Sequence, residues 1–230
     1  MKEAFDHIAN TINPLQSDRD AVTVRVLPTF ALRWLYPRLR KFQAQHPLVH
    51  VNVQTRINDM NFSDGDADLG IRYGLGNWPM ESTTELYAEW ILPVCAPSYL
   101  PQGALTSAED FAKVTLLHPL PNRQDWTIWS ERSGIGRFDT RAGLDFDALD
   151  MALSAAESGF GIAMTDVVLA HDAIESGRLV VPIRIPVPTG ISYFLVRPPE
   201  LKRKRHVKLL DDWLCDEISD AHKVVRLYAK

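Results

Sequence analysis

The sequence has few of the features that mark a metal site, a disulfide framework or a membrane span. Only two cysteines occur among its 230 residues, Cys95 and Cys215, far apart and outside any CxxC motif, and both are expected to be reduced structural thiols. Of the seven histidines, only His46 and His50 have HxxxH spacing, and no carboxylate lies near them in the sequence, so neither a metal nor another cofactor is predicted. No run approaches the roughly 18 apolar residues of a membrane span, and the N-terminus has no apolar signal core. We therefore expect a cytoplasmic protein without a membrane partner.

Positive charge is also scarce. The 25 lysines and arginines are outnumbered by 29 aspartates and glutamates, for a net charge of −4, whereas proteins held mainly by phosphates carry a positive field. The basic run LKRKRHVK, residues 201–208, precedes an acidic amphipathic pattern. It is interpreted as the solvated approach to a helix, with a phosphate-binding patch as the alternative. We expect that this chain does not bind DNA by itself.

Signatures of nucleotide binding and of catalysis are missing too. The GxG sequences in GLGNWP (74–79) and GFGIAM (159–164) do not continue to a third glycine, so these glycines are interpreted as turns of the chain. No Walker sequence, GxSxG elbow or HExxH motif occurs, and no nucleophile has a base beside it in the sequence. Nothing in these patterns supports an enzyme.

Hydrophobic periodicity predicts an alternation of strands and helices. Residues 22–26 alternate as a strand and run directly into a helix that reaches Phe42, with Pro37 in its first turn or at a kink. One apolar face of this helix is predicted to consist of Phe30, Trp34, Leu35, Leu39 and Phe42. Further strands are predicted at 48–56 and 69–73, an order that favours a parallel sheet with helical cover. The later predictions are a strand leading into Pro97, a short helix capped by Thr106 or Ser107, an irregular stretch from 116 to 145, helices ending at Gly159 and Gly177, strands at 161–164, 179–183 and 191–199, and a closing helix at 206–223.

The abrupt corner between the first strand and the first helix is a candidate anion site. Backbone N–H groups and the positive end of a helix dipole point outward where the chain passes through Pro28 and Thr29. Arg72 ends the third predicted strand and lies at the same edge if the sheet is parallel. The alternatives are that Thr29 caps its own helix and that Arg72 is simply exposed. Together these features favour a cleft that binds a carboxylate.

Trp126 is a further candidate, since an aromatic ring beside Asp125 in an irregular segment can line a pocket. Trp126 and Trp129 are three residues apart, however, and such a pair also anchors the core of a small domain.

Four motifs, in order and spacing, resemble the effector-binding domain of LysR-type transcriptional regulators. They are LPTFALRWLYPRLRKFQAQHP (27–47), DLGIRYGLGNWP (68–79), ELYAEWILPVCAPSYL (85–100) and LSAAESGFGIAMTDVVLAHDAIESGRLV (153–180). The resemblance covers roughly residues 20 to 215 and is to the branch that contains the glycine-cleavage activator and the β-lactamase regulator.

This resemblance implies an α/β fold of two Rossmann-like subdomains joined by two crossover strands, similar to type II periplasmic binding proteins. Subdomain I is expected at 20–94 and 195–230, subdomain II at 95–194, and the end of a linker helix at 1–19. A small effector is expected in the cleft between the subdomains. The family's cleft positions fall on Thr29, Phe30, Thr55, Arg56, Arg72, Tyr73, Phe146, Asp147, Thr165 and Tyr193.

The resemblance also implies partners. The effector is expected to be anionic or amino-acid-like, and its binding to change the geometry of a homodimer or homotetramer, with residues 32–45 as the candidate dimer surface. Members of the family begin with a winged helix-turn-helix and a long linker helix, which this sequence does not show in full, so DNA contact is expected to belong to a missing N-terminal domain. A free-standing solute-binding protein and an enzyme with a two-lobed cleft are the alternatives.

Overall fold

The computed structural model describes residues 21–55, 67–78, 83–100, 105–119, 123–198 and 204–228. Within these ranges the chain forms eight strands. They are β1 Ala21–Val26, β2 His50–Thr55, β3 Leu69–Gly74, β4 Thr83–Val94, β5 Leu116–Pro119, β6 Leu144–Phe146, β7 Ile162–Asp166 and β8 Val187–Val196. The end of a linker helix expected at 1–19 lies outside the described residues.

Helices connect and cover these strands. The first three pieces form one continuous rod, residues 28–45: α1 Pro28–Phe30, a π-helical turn Ala31–Leu35, and α2 Tyr36–Gln45. The others are α3 Ala108–Phe111, α4 Gln124–Arg132, α5 Leu149–Glu157, α6 Val167–Glu175, α7 Arg205–Glu217 and α8 Ser219–Tyr228, with a 3₁₀ turn at Pro97–Tyr99. None of the helices within the described ranges has the length and apolar character needed to span a bilayer.

The rod shows how the sequence accommodates Pro37. A proline inside an α-helix clashes with the carbonyl four residues earlier and lacks the N–H for the ladder. Here Pro37 is the second residue of α2, and the turn before it is widened: the Tyr36 N–H donates to the Ala31 carbonyl, five residues back. The predicted apolar face is confirmed, since its five residues are all buried: Phe30, Trp34, Leu35, Leu39 and Phe42.

The strands form one mixed sheet in the order β2-β1-β3-β8-β4-β7-β5-β6. Each end is parallel, with β1 between β2 and β3 at one end and β5 between β6 and β7 at the other. The centre is antiparallel, because β8 pairs with β3 and β4, and β4 pairs with β7. The parallel order predicted from the first three strands is therefore confirmed, and the antiparallel centre is a feature that the strand patterns did not predict. We call the β2-β1-β3 end, with the rod, the first lobe, and the β7-β5-β6 end the second lobe.

The central pair, β4 and β8, contains an irregular register. Ala88 lies opposite Ser192 and Trp90 opposite Pro188, so residues 189–191 of β8 bulge against the single residue Glu89. Gly190, in the middle of this bulge, has a φ of 85°, a backbone conformation that glycine adopts without strain.

Three other predictions need correction. The stretch from 116 to 145 is not irregular: β5, α4 and β6 lie in it, and two of these elements are too short to show a period. The strand predicted at 179–183 is only a bridge between Val180 and Cys95, since Pro182 lacks the N–H needed to extend a ladder. The closing helix is divided at Ile218 into α7 and α8. The predicted cap of the short helix is confirmed, because Ser107 and Asp110 form a capping box at α3.

Two hydrophobic cores lie under the sheet. The larger core joins the rod, α5, α6, α7 and α8 to strands of both lobes, since it includes Leu117 of β5 and Ala163 of β7. The smaller core fills the second lobe around Phe111, Trp126 and Trp129. Both cysteines are free, Cys95 buried and Cys215 partly buried, as predicted.

Candidate functional site

The two lobes meet where the start of the rod faces the start of α5. The Thr29 Oγ1 accepts a hydrogen bond from the Asp150 backbone N–H at 3.1 Å. One turn along the rod, Arg33 donates from Nε to Asp150 Oδ1 at 2.5 Å and from Nη1 to Glu157. We call these four residues, Thr29, Arg33, Asp150 and Glu157, the Arg33 seam. The seam ties the first lobe to the second with paired charges.

Thr29 does not cap its own helix. The N-cap of α1 is Leu27, which has no side-chain capping bond, and the N-cap of α5 is Ala148, which has none either. The Thr29 hydroxyl is used across the seam instead. Two helix N-termini therefore approach each other where the lobes meet, an arrangement that favours a negatively charged group.

Charge pairing dominates the electrostatics of the seam. Burial lowers the pKa of the Arg33 guanidinium, but the hydrogen bonds to Asp150 and Glu157 outweigh this effect and the net pKa is raised. The side chains of all three are only partly exposed, between 14% and 23%. The attraction is therefore less screened than in an exposed surface pair.

A second polar group lies deeper, on the crossing strands at the centre of the sheet. It consists of three carboxylates and three tyrosines: Glu89, Asp125, Asp166, Tyr73, Tyr87 and Tyr193. We call this group the acid–tyrosine cluster. Its members come from β3, β4, α4, β7 and β8, and therefore from both lobes.

Hydrogen bonds and ring contacts hold the acid–tyrosine cluster together. The Tyr73 hydroxyl donates to Glu89 Oε2 at 2.6 Å, and the bulge in β8 brings the Thr189 hydroxyl to the same carboxylate. The ring of Tyr193 stacks on Tyr87 with centroids 4.9 Å apart and contacts Tyr73 at 5.0 Å. Glu89 is 6% exposed and Asp166 is 1% exposed, so these carboxylates are almost entirely removed from water.

Burial changes the protonation of all three carboxylates. It raises the pKa of Glu89 to about 7, an effect opposed by the Tyr73 and Thr189 hydroxyls. It raises the pKa of Asp125 to about 6, opposed by the nearby His118. It raises the pKa of Asp166 well above its usual value, with help from the charge of Glu89 and opposed by the Val168 N–H and the Tyr87 hydroxyl. The cluster therefore exchanges protons near neutral pH.

The structure brings five of the sequence-predicted residues into or next to the Arg33 seam and the acid–tyrosine cluster. Thr29 belongs to the seam, and Tyr73 and Tyr193 belong to the cluster. The ring of Phe30 lies 5.5 Å from that of Tyr193, and Thr165 is buried directly before Asp166 on β7. Phe146 packs against the larger core next to α5, and Asp147 is exposed just before that helix.

Other predicted residues lie elsewhere. Neighbouring residues of a strand point to opposite faces, so Arg72 points away from the face of Tyr73, and its guanidinium lies 5.3 Å above the ring of Trp78. Trp126 is fully buried in the core of the second lobe and donates to the Leu117 carbonyl at 3.3 Å. Thr55 is exposed at the end of β2, two strands away from β3. Arg56 lies outside the described residues.

Sequence reasoning missed the carboxylates of the cluster. Glu89 is the only charged residue in the apolar run LYAEWILPVC, residues 86–95, and a charge at such a position is costly unless it has a partner or a function. That signal was available. Asp125 and Asp166 gave no comparable signal, because acidic residues are common at the beginning of helices.

The fold, the Arg33 seam and the acid–tyrosine cluster define the class of the protein. Two α/β lobes connected by crossing strands, with buried polar groups between them, form a two-lobed ligand-binding module similar to type II periplasmic binding proteins. Residues 15–218 match the family described as LysR substrate binding domain, and the chain belongs to this family. The resemblance drawn from the four sequence motifs is confirmed.

Named relatives and solved structures agree with this assignment. The chain is 37% identical over 199 residues to the glycine cleavage system transcriptional activator of Escherichia coli K12, covering 85% of this chain and 65% of that protein. It is 28% identical to the transcriptional activator AmpR of Rhodobacter capsulatus, covering 96% and 75%. The effector domain of AmpR of Pseudomonas aeruginosa superimposes with a TM-score of 0.75 at 26% identity, covering 89% of this chain and 98% of that one. The chain thus spans about two thirds of the length of its glycine-cleavage relatives.

Proposed function

We propose that the chain is the effector-sensing and dimerisation region of a LysR-type transcriptional regulator. A small molecule binds between the two lobes, and its binding changes DNA-dependent transcription through the rest of the regulator. The family assignment and the relatives, which are transcriptional activators, support this function over catalysis or solute transport. A regulator of transcription works in the cytoplasm, which is where we place this protein.

The observation that carries the proposal is the buried acid–tyrosine cluster on and beside β4 and β8. These strands run from one lobe into the other, and we propose lobe boundaries near 94/95 and 194/195 within or next to them. Polar groups that are buried at a hinge are costly in the absence of partners. A ligand bound at the acid–tyrosine cluster pairs with polar groups of both lobes at once.

We propose that the effector contacts Thr29, Phe30, Tyr73, Thr165 and Tyr193. Of these, Thr29 stands where two helix N-termini meet, and that end of the cleft suits a carboxylate of the ligand. Phe146 and Asp147, next to the start of α5, are proposed at the same end. The effector is therefore anionic or amino-acid-like at this position.

The mechanism is a shift between lobe arrangements. A ligand moves such an equilibrium only to the extent that it binds one arrangement more tightly than the other. Because the seam and the cluster each take residues from both lobes, a bound molecule that touches both changes the angle between lobes. That angle is passed on to a dimer or tetramer.

The rod offers a surface for such an assembly. Leu32 and Tyr36 are four residues apart and are 47% and 42% exposed, so they lie on one side of the rod. A groove of about 290 Å³ runs beside them, between the rod and α5 and α6, with Pro37 and Leu169 among its lining residues. We propose that this side of the rod packs against a second copy of the chain.

A ligand screen tests the proposed function. Thermal-shift measurements with amino acids, small carboxylates and cell-wall fragments, followed by titration calorimetry, are expected to find one class that binds. Thr29→Val is expected to weaken that binding, whereas Thr127→Val, which removes a hydroxyl paired with Thr140 in the second lobe, is not. Light scattering before and after ligand addition reports the assembly. Failure of every class to bind or to change the assembly contradicts the proposal.

A further inference from the structure

We infer that the acid–tyrosine cluster is the subsite for a positively charged amine of the ligand. This inference rests on the proposed function and deepens it, because it assigns a charge and a chemical class to the inner end of the effector. The ligand then reaches from the helix N-termini at the mouth of the cleft to the carboxylates at its floor.

No lysine or arginine within the described ranges forms an ion pair with a carboxylate of the cluster. Among the described residues, the ion pairs of the molecule involve other acids, and neither lysine nor arginine pairs with Glu89, Asp125 or Asp166. A buried ionised carboxylate is costly unless it is paired and hydrogen-bonded. An incoming ammonium group provides the missing charge.

Unused hydrogen-bonding atoms point into the same place. Asp166 Oδ1 caps α6 by accepting from the Val168 N–H at 2.6 Å. Its other oxygen, Oδ2, is buried beside the Tyr87 hydroxyl, and neither of these two atoms completes a well-formed hydrogen bond within the part of the chain that the structure describes. Native structures leave few buried polar atoms in this state. An ammonium group has three N–H donors and can bond to both of these adjacent oxygens at once.

The aromatic rings favour an organic cation over a metal ion. The centroid of the Tyr193 ring lies 4.9 Å from that of Tyr87 and 5.0 Å from that of Tyr73. The faces of such rings attract ammonium groups. Calcium and magnesium instead need about six or more oxygens around one point. No set of three or more possible metal ligands was found among the described residues. Tyr73 is 36% exposed and stands at the entrance to the cluster.

Amine binding is expected to depend on pH. The groups facing Glu89 are Tyr73 from β3, Thr189 and Tyr193 from β8, Asp125 from α4, Asp166 from β7 and Tyr87 from its own strand, with His118 behind Asp125. Because the pKa values of Glu89 and Asp125 are about 7 and about 6, both carboxylates are mainly ionised at pH 8. Affinity for an amine is therefore highest there and falls as the pH is lowered through 7 and 6.

Matched ligands separate the amine from the rest of the molecule. Calorimetry at pH 8 compares L-alanine, L-leucine and L-phenylalanine with the 2-hydroxy acids that carry the same side chains, and adds putrescine as a cation without a carboxylate. We expect at least one amine to bind at least about tenfold more tightly than its hydroxy counterpart, a difference of about 1.4 kcal/mol. Glu89→Gln and Asp166→Asn are expected to remove this preference. Glu85→Gln, an exposed glutamate on the same strand, serves as the control and should keep it.

The possible results distinguish this inference from the proposed function. Hydroxy acids that bind as well as the amines, or an amine preference that survives both substitutions, overturn the amine subsite and leave effector sensing intact. Binding only of compounds without an amino group from the earlier screen has the same meaning. Absence of binding by every compound in both panels contradicts both. Circular dichroism of each variant checks that its fold is retained, and Asn at 166 keeps the capping oxygen for α6.

Discussion

The Arg33 seam and the acid–tyrosine cluster both join the lobes, but they treat charge in opposite ways. In the seam, Arg33 is matched by Asp150 and Glu157, and each carboxylate has a cationic partner. In the cluster, Glu89 and Asp166 are more deeply buried and meet hydroxyls and each other. The seam thus stabilises the lobes as they are, while the cluster is stabilised by something added: a proton, or the amine we infer.

The first prediction breaks the seam. Arg33→Ala leaves two partly buried carboxylates without their cation, and we expect it to lower the free energy of unfolding by about 3 kcal/mol. Denaturant titration at pH 7 measures the effect. Lys41→Ala, on the same rod, removes an ion pair with Glu217 whose lysine is 62% exposed, and should cost less than about 1 kcal/mol. Equal losses for the two variants would contradict the role of the seam.

The second prediction concerns the cluster and has the opposite sign. A carboxyl group whose folded pKa is raised binds more protons in the folded chain, so stability falls as the pH rises from about 4.5 to about 7. Glu89→Gln removes this dependence and is expected to be more stable than the parent at pH 8 by about 3 kcal/mol. The gain should vanish near pH 4.5. Glu85→Gln should show no gain, and a Glu89→Gln variant that is destabilised at pH 8 would show that the ionised carboxylate supports the fold.

The third prediction removes one hydrogen bond from the seam. Thr29→Val keeps the shape of the side chain but loses the acceptor for the Asp150 N–H, and we expect a loss of about 1 kcal/mol in thermal or chemical unfolding. Thr29→Ser keeps the hydroxyl and should lose less. Identical losses in the two variants would assign the effect to packing.

The fourth prediction, which has the smallest expected effect, compares the two faces of β3. Arg72→Ala removes a cation above the Trp78 ring and should cost about 0.5 kcal/mol of stability, with no change in the affinity for amines. Tyr73→Phe, one residue further on, removes the hydrogen bond to Glu89 and is expected to weaken amine binding measured by calorimetry. If Arg72→Ala weakens binding more than Tyr73→Phe, the assignment of faces is wrong.

Local patterns in the sequence predicted the helices and strands better than the pairing and contacts between them. The strand-to-helix corner, the apolar face of the rod and the cap at Ser107 follow from spacing within a few residues, and all were found. The antiparallel centre of the sheet depends on contacts between β3 and β8, more than 100 residues apart, and period-two alternation says nothing about strand direction. The bond between Thr29 and Asp150 spans 121 residues, so the corner could be predicted but not what it holds.

Some of the site was within reach of the sequence and was still misjudged. Alternation along β3 already implied that Arg72 and Tyr73 face opposite ways, yet both were placed in one cleft. Glu89 stood out as a charge within an apolar strand. The burial that raises the pKa of Asp125 and Asp166 comes from packing between lobes, which no local pattern contains.

The bulge at residues 189–191 gives the length of β8 an importance beyond its side chains. Each residue of a strand faces the opposite way from the one before. Deleting one residue of the bulge would exchange the places of Tyr193 and Phe194, putting a phenyl ring on the floor of the cleft and a phenol on the far face. Two chains with identical cleft residues but different numbers of residues in this bulge would therefore present different side chains to the same ligand.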